Sequence, residues 1–166
     1  LKSIVEQILV NYQMDHGDAV LHPDKVLKLV SDNILHAKLG KYLTMIYGVL
    51  DLKNDLLFYS IGGHSPSPII GDGKKATYLK GSGFAVGIFK DAVFTSHSIK
   101  LPPQFAMAMC SDGFFEILQG KDLAEKEKAL LGLVNNVNVS RAQILDPLTK
   151  EKEDHFPDDI TLLLIN

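Results

Sequence analysis

Apolar positions recur at helical spacing near the front of the chain and give way to short strand-length runs in the middle. Ile4, Val5, Ile8 and Leu9 fall on one face of a predicted helix over residues 1–12, with Lys2, Glu6 and Gln7 on other faces. The polar Asp15-His16-Gly17-Asp18 reads as a loop. Pro23 suits the first turn of a second helix, and Asp24 suits the positive end of its dipole. Val26, Leu27, Val30, Ile34 and Leu35 form its stripe, and Gly40 is a natural stop.

From Tyr42 to Leu50 the sequence is almost continuously apolar, as in a strand covered on both faces. Lys53-Asn54-Asp55 turns the chain and Leu56 to Ile61 returns as a hairpin partner. Gly62-Gly63-His64-Ser65-Pro66 breaks that strand, and Pro68-Ile69-Ile70 resumes before the Gly71-Asp72-Gly73 turn. Tyr78-Leu79, Ala85-Val86, Ala92 to Ile99 and Phe105 to Ser111 supply further strands, with a short helix over 114–118. Residues 121–134 form a helix with a charged face, Ser140 is an N-cap for another through about Leu148, and Ile160 to Ile165 closes the chain as a strand. Helices at both ends with antiparallel strands between them predict an α+β layered fold.

At 166 residues, with 46% hydrophobic and 22% charged, the chain is expected to form a single domain over 1–166 with a sizeable core. No apolar run reaches the ~20 residues needed to span a bilayer. A net charge of −3 gives no electrostatic case for nucleic acid or an anionic membrane as partner. Arg141 is the sole arginine beside sixteen lysines, so bidentate grip on phosphate is scarce. The single cysteine, Cys110, lies inside an apolar run; it reads as a buried thiol rather than a nucleophile and fits a reducing cytoplasm. There is no signal-peptide pattern, and the start at Leu1, within a helix, suggests a fragment.

Two acidic turns carry the candidate chemistry. Phe105-Ala106-Met107-Ala108-Met109-Cys110-Ser111 delivers Asp112-Gly113 at a strand end, and Pro157-Asp158-Asp159 opens the last strand. Carboxylates fixed at strand ends, with a glycine that lets backbone approach, are how folds hold hard divalent cations. If the two strands are sheet neighbours, Asp112 and Asp158 could share one metal site. Taken singly, each motif has a plain alternative. Asp-Gly is a favoured hairpin turn, and paired aspartates discourage edge pairing.

The set of motifs resembles the SpoIIE/RsbU-type branch of the metal-dependent (protein phosphatase 2C-like, PPM) serine/threonine phosphatases. Residues 43–51, Leu-Thr-Met-Ile-Tyr-Gly-Val-Leu-Asp, look like that family's strand before its hairpin. Residues 57–66 resemble its Ala-Gly-His-x-Pro segment, with Gly62 in place of alanine. Ser111-Asp112-Gly113-Phe114-Phe115-Glu116 resembles its Thr-Asp-Gly-x-x-Glu segment, and Asp158-Asp159-Ile160-Thr161 matches its Asp-Asp-Ile-Thr ending. The order is right and nearly the whole chain is covered. Pro102-Pro103-Gln104 replaces the usual Pro-Gly-Asp turn before the metal strand.

The resemblance implies an antiparallel β-sandwich flanked by helices, α-β-β-α layered, without its N-terminal strands. It implies Asp112 and Asp158 as ligands in a two-metal Mn²⁺ or Mg²⁺ centre, with Gly113, Asp159 and His64 in supporting positions and no catalytic group beyond the metal ligands. Asp159 is expected to be hydrogen-bonded at the strand start. His64 is expected to bond backbone groups in its turn, and His155 to be a solvated loop residue. His16, His22, His36 and His97 are expected at the surface or at helix ends.

The family's two further acidic motifs, which would lie upstream, have no counterpart here; His16-Gly17-Asp18 is only superficially similar. By resemblance the activity is hydrolysis of phosphoserine or phosphothreonine on a phosphorylated anti-sigma-factor antagonist, behind an upstream receiver or sensor domain. The alternatives are a degenerate phosphatase fold that binds its partner without hydrolysis, and an unrelated α+β protein whose acidic turns are only turns.

Overall fold

The computed structural model describes residues 2–14, 17–38, 40–149 and 158–166. His16 and His155 lie outside them. Five α-helices are described: α1 (Lys2–Gln13), α2 (Pro23–His36), α3 (Gly113–Ile117), α4 (Leu123–Leu133) and α5 (Arg141–Thr149). The strands are β1 (Met45–Asp51), β2 (Leu56–Gly62), β3 (Ile69–Gly71), β4 (Ala76–Tyr78), β5 (His97–Lys100), β6 (Ala106–Cys110) and β7 (Leu162–Ile165). Every named strand pair is antiparallel. The described residues fall into two compact units, Leu1–His64 with Lys80–Leu101, and Ser65–Leu79 with Pro102–Asn166.

In the first unit the sheet runs β1-β2-β5, with α2 packed on it. Pro23 occupies the first turn of α2 and Asp24 its positive end, as the sequence predicts. The helix stops four residues before Gly40, because Lys38 already takes a left-handed φ of 50°. Val26, Leu27 and Val30 are buried with Val86, Ala92 and Phe94, and Met45 and Tyr47 of β1 pack against them. The Tyr47 hydroxyl donates to the Val20 carbonyl at 3.0 Å, and the Ser31 hydroxyl accepts from the Gly87 N–H at 3.0 Å. Gly62 explains its own departure from the family's alanine. A Cβ there would lie 2.5 Å from Val86 Cγ2, closer than packed atoms tolerate.

Four expectations change in this unit. β1 is covered less than predicted: Gly48 and Leu50 are exposed and its other residues only half-buried. The strand ends its sheet with β2 as sole neighbour among the described residues, so edge position limits the cover. The predicted strand over 92–99 narrows to β5, because Ala92 and Phe94 turn into the α2 cluster on irregular backbone. Val86 makes only a single bridge to Leu43. His97 is half-buried, not at the surface, and its ring stacks on Tyr59 with centroids 5.4 Å apart.

The second unit has the sheet order β4-β3-β6-β7. Strand alternation sends Ala106, Ala108 and Cys110 of β6 to one face. These small side chains leave room for Phe114, Leu130 and Ile144 of the helices and for Val134 just after α4, all buried. Truncating Phe114, which is fully buried, would cost about 3–5 kcal/mol. Side-chain caps start the two later helices, and the second is reciprocal. Asp122 accepts from the Glu125 N–H at 2.9 Å while Glu125 accepts from the Lys121 N–H at 2.8 Å. Ser140 and Gln143 exchange the same kind of bonds at 3.2 and 2.8 Å, confirming Ser140 as an N-cap. The Tyr78 hydroxyl ties β4 to α4 through the Glu127 carbonyl at 2.9 Å.

Ser60 is fully buried in β2, and its hydroxyl has no hydrogen-bond partner among the described residues. An orphaned buried hydroxyl destabilises a fold by about 1–3 kcal/mol. Ser60→Ala should therefore raise the urea midpoint, by an amount corresponding to about 1 kcal/mol; a lower midpoint would show that the hydroxyl is paired in solution.

Candidate metal centre

Strands β6 and β7 are direct neighbours, with Met107↔Ile165, Ala108↔Leu164, Met109↔Leu163 and Cys110↔Leu162 in register. One step further along this register come Ser111 and Thr161, then the two acidic turns. The pairing thus puts Asp112-Gly113 beside Asp158-Asp159. How close the turns come is set by Gly113. A Cβ built there would lie 2.4 Å from the Asp159 carbonyl oxygen and 3.5 Å from Asp158 Cβ.

Ser111 links the two turns. Its N–H donates to the Thr161 carbonyl at 3.1 Å, continuing the ladder. The return bond is different: the Thr161 N–H donates to Ser111 Oγ at 2.9 Å. Ser111 Oγ in turn donates to the Asp159 carbonyl at 2.9 Å. The Ser111 carbonyl accepts instead from the Phe114 N–H at 3.1 Å, in the turn that opens α3. Ser111 was visible in the sequence only as part of a motif; a hydroxyl residue at the end of a strand, able to bond backbone locally, is the signal that could have singled it out.

Asp112 is exposed and stands at the N-cap of α3, where its side chain makes no capping bond. Asp158 and Asp159 are also exposed, and Asp158 Oδ1 accepts from the Asp159 N–H at 2.8 Å. The bonds expected of Asp159 at the strand start run through its main chain. His64 is half-buried just after β2, in the other compact unit. Cys110 is 4% exposed, and burial pushes its thiol up to about 12. A thiolate nucleophile beside the acidic turn is therefore absent at neutral pH.

Carboxylate oxygens are the donors that Mg²⁺ and Mn²⁺ take. Two of them on adjoining turns, with bare glycine backbone between, fit one wall of such a centre. Among the described residues no group of three His, Cys, Asp or Glu side chains could hold a metal ion, so the wall is not a complete site. No described helix is long and apolar enough to cross a membrane.

The α+β fold with antiparallel sheets matches phosphatase 2C-like folds. Residues 3–166 match the SpoIIE family (Stage II sporulation protein E), and the chain belongs to it. It is similar to Protein IcfG of Synechocystis sp., 27% identical over 170 residues, which span 94% of this chain and 27% of that protein. The structure of the RsbU and RsbW domains of Rv1364c from Mycobacterium tuberculosis shares the fold at a TM-score of 0.64 and 22% identity, covering 98% of this chain and 46% of that one. The phosphatase domain of the cell fate determinant SpoIIE from Bacillus subtilis, presoaked with manganese, matches at 0.58 and 19%, covering 84% and 63%. The chain thus spans about a quarter of the curated relative and less than two thirds of these solved chains.

Gly113→Ala should cost about 2 kcal/mol or more, because the Asp159 carbonyl must move aside; a urea midpoint unchanged from wild type would show that the turns are further apart. Burial of Cys110 predicts that iodoacetamide labels it at pH 9 only after unfolding. The raised thiol value has a definite sign for stability. The contribution is complete below the ordinary thiol value of 9.0 and is lost as pH rises towards about 12. Cys110→Ala should flatten that alkaline fall in unfolding free energy.

Proposed function

We propose that this chain is the catalytic part of a metal-dependent phosphatase that hydrolyses phosphoserine or phosphothreonine on a regulatory protein, with a phosphorylated anti-sigma-factor antagonist as the fitting class. In this reading it is the output domain of a cytoplasmic signalling protein, behind a receiver or sensor domain. The supporting observation is the pairing of β6 with β7, which brings the Asp112-Gly113 turn against the Asp158-Asp159 turn in a family whose members include phosphatase domains.

Asp112 and Asp158 would hold Mn²⁺ or Mg²⁺, together with carboxylates from outside the described residues. When bound, a metal pair polarises phosphoryl oxygens and supplies a water nucleophile at neutral pH. The chain's own residues do the positioning. Asp158 Oδ1 is steadied by the Asp159 N–H, and Gly113 admits backbone where a side chain would block the approach. With Arg141 the sole arginine, neutralisation of phosphate falls to cations other than guanidinium. Cys110 is buried and protonated, which disfavours a covalent phosphocysteine route.

A binding module without hydrolysis is the second reading, favoured by the lack of a three-ligand group among the described residues. Phosphate release from a phosphoserine-bearing regulatory protein, measured with Mn²⁺ and with EDTA, separates the two. The phosphatase reading expects Mn²⁺-dependent release and a loss of roughly a hundredfold or more in Asp112→Asn. Capture of the phosphoprotein with no release supports the binding module, and activity that survives Asp112→Asn removes that residue from its role.

A further inference from the structure

We infer that Ser111 is the positioning residue of the cation site, setting the spacing of Asp112 and Asp158 through its hydroxyl; this rests on the metal reading proposed above. At an ordinary ladder position the Thr161 N–H would bond the Ser111 carbonyl. Here the hydroxyl takes that place at 2.9 Å, which releases the carbonyl to accept from Phe114 at 3.1 Å. One residue therefore ends a strand and begins a helical turn without leaving a donor or acceptor stranded. The Oγ hydrogen then holds the Asp159 carbonyl at 2.9 Å, the same oxygen that faces the Gly113 Cα.

Both acidic turns are thus referenced to a single oxygen atom. Asp112 follows it directly in sequence, and Asp158 precedes the carbonyl it bonds. Removing the hydroxyl orphans the Thr161 N–H, frees the Asp159 carbonyl and lets the two turns drift apart. Only a residue with a hydroxyl on Cβ meets all three demands, so threonine should replace serine here and the isosteric valine should not.

The test is titration of the chain with Mn²⁺ alone, free metal being read by electron paramagnetic resonance, alongside amide exchange at Thr161. Ser111→Thr should bind within about threefold of wild type, whereas Ser111→Val and Ser111→Ala should lose about tenfold or more in affinity and exchange Thr161 faster. Ile144→Val, a core change in the same unit, controls for lost stability and should leave affinity alone. Wild-type affinity in a folded Ser111→Val overturns this inference and leaves the phosphatase reading standing. Thr161 exchange as slow in Ser111→Val as in wild type overturns it too, whatever the metal affinity.

Discussion

The antiparallel pairing of β6 with β7 is the constraint on which the candidate site depends. Asp112 and Asp158 are far apart in sequence, and local chain stiffness alone cannot bring them together. The Cys110↔Leu162 register brings the turns that carry them side by side. A slip of one residue would turn Ala106, Ala108 and Cys110 away from the helices and put methionines against Phe114. The same alternation that buries the small side chains against α3, α4 and α5 therefore fixes the depth at which each acidic turn emerges. Packing and site geometry share one cause, and the register cannot change for one without changing for the other.

Much of this was legible in the sequence, for reasons that differ between elements. α2 could be read because Pro23, Asp24 and the Val26-Leu27-Val30 stripe agree with one another. β6 and β7 could be read because each is a short apolar run beside an acidic turn. The cover on β1 was over-read, since an apolar run reports what a strand is suited to touch and not whether a neighbour is present. The segment 92–96 misled for a related reason: Ala92 and Phe94 alternate like a strand while their backbone makes no ladder. His97 could not be placed from spacing, because its partner Tyr59 comes from a strand pairing of Tyr59 with His97 that sequence distance hides.

The site shows the same division. Residue types announced the carboxylates, but the role of Ser111 depends on which of two oxygens on one residue accepts the Thr161 N–H. That choice follows from the helical turn of α3, which claims the carbonyl and leaves the hydroxyl for the ladder. A reader of the sequence sees a serine before Asp-Gly; only the fold shows the exchange. Gly62 and Gly113 behave alike in this respect, since what makes each one necessary is an atom from a distant segment, Val86 Cγ2 in one case and the Asp159 carbonyl oxygen in the other.

The electrostatics of the acidic turns bear on the choice between catalyst and binding module. Three exposed aspartates on adjoining turns concentrate negative charge on one surface. The local structure does little to offset it: Asp112 caps nothing, and among the side-chain oxygens of the three only Asp158 Oδ1 receives a described hydrogen bond, from the Asp159 N–H. A surface selected solely to grip a phosphorylated, negatively charged partner would gain by losing these charges, because phosphate approaching three carboxylates is repelled. A cation reverses the sign of that interaction and turns the same carboxylates into the means of holding phosphate. The acidic turns are therefore at odds with phosphoprotein binding by themselves and consistent with it once a divalent ion stands between, which is the physical reason the metal-dependent reading is preferred to the module that merely binds.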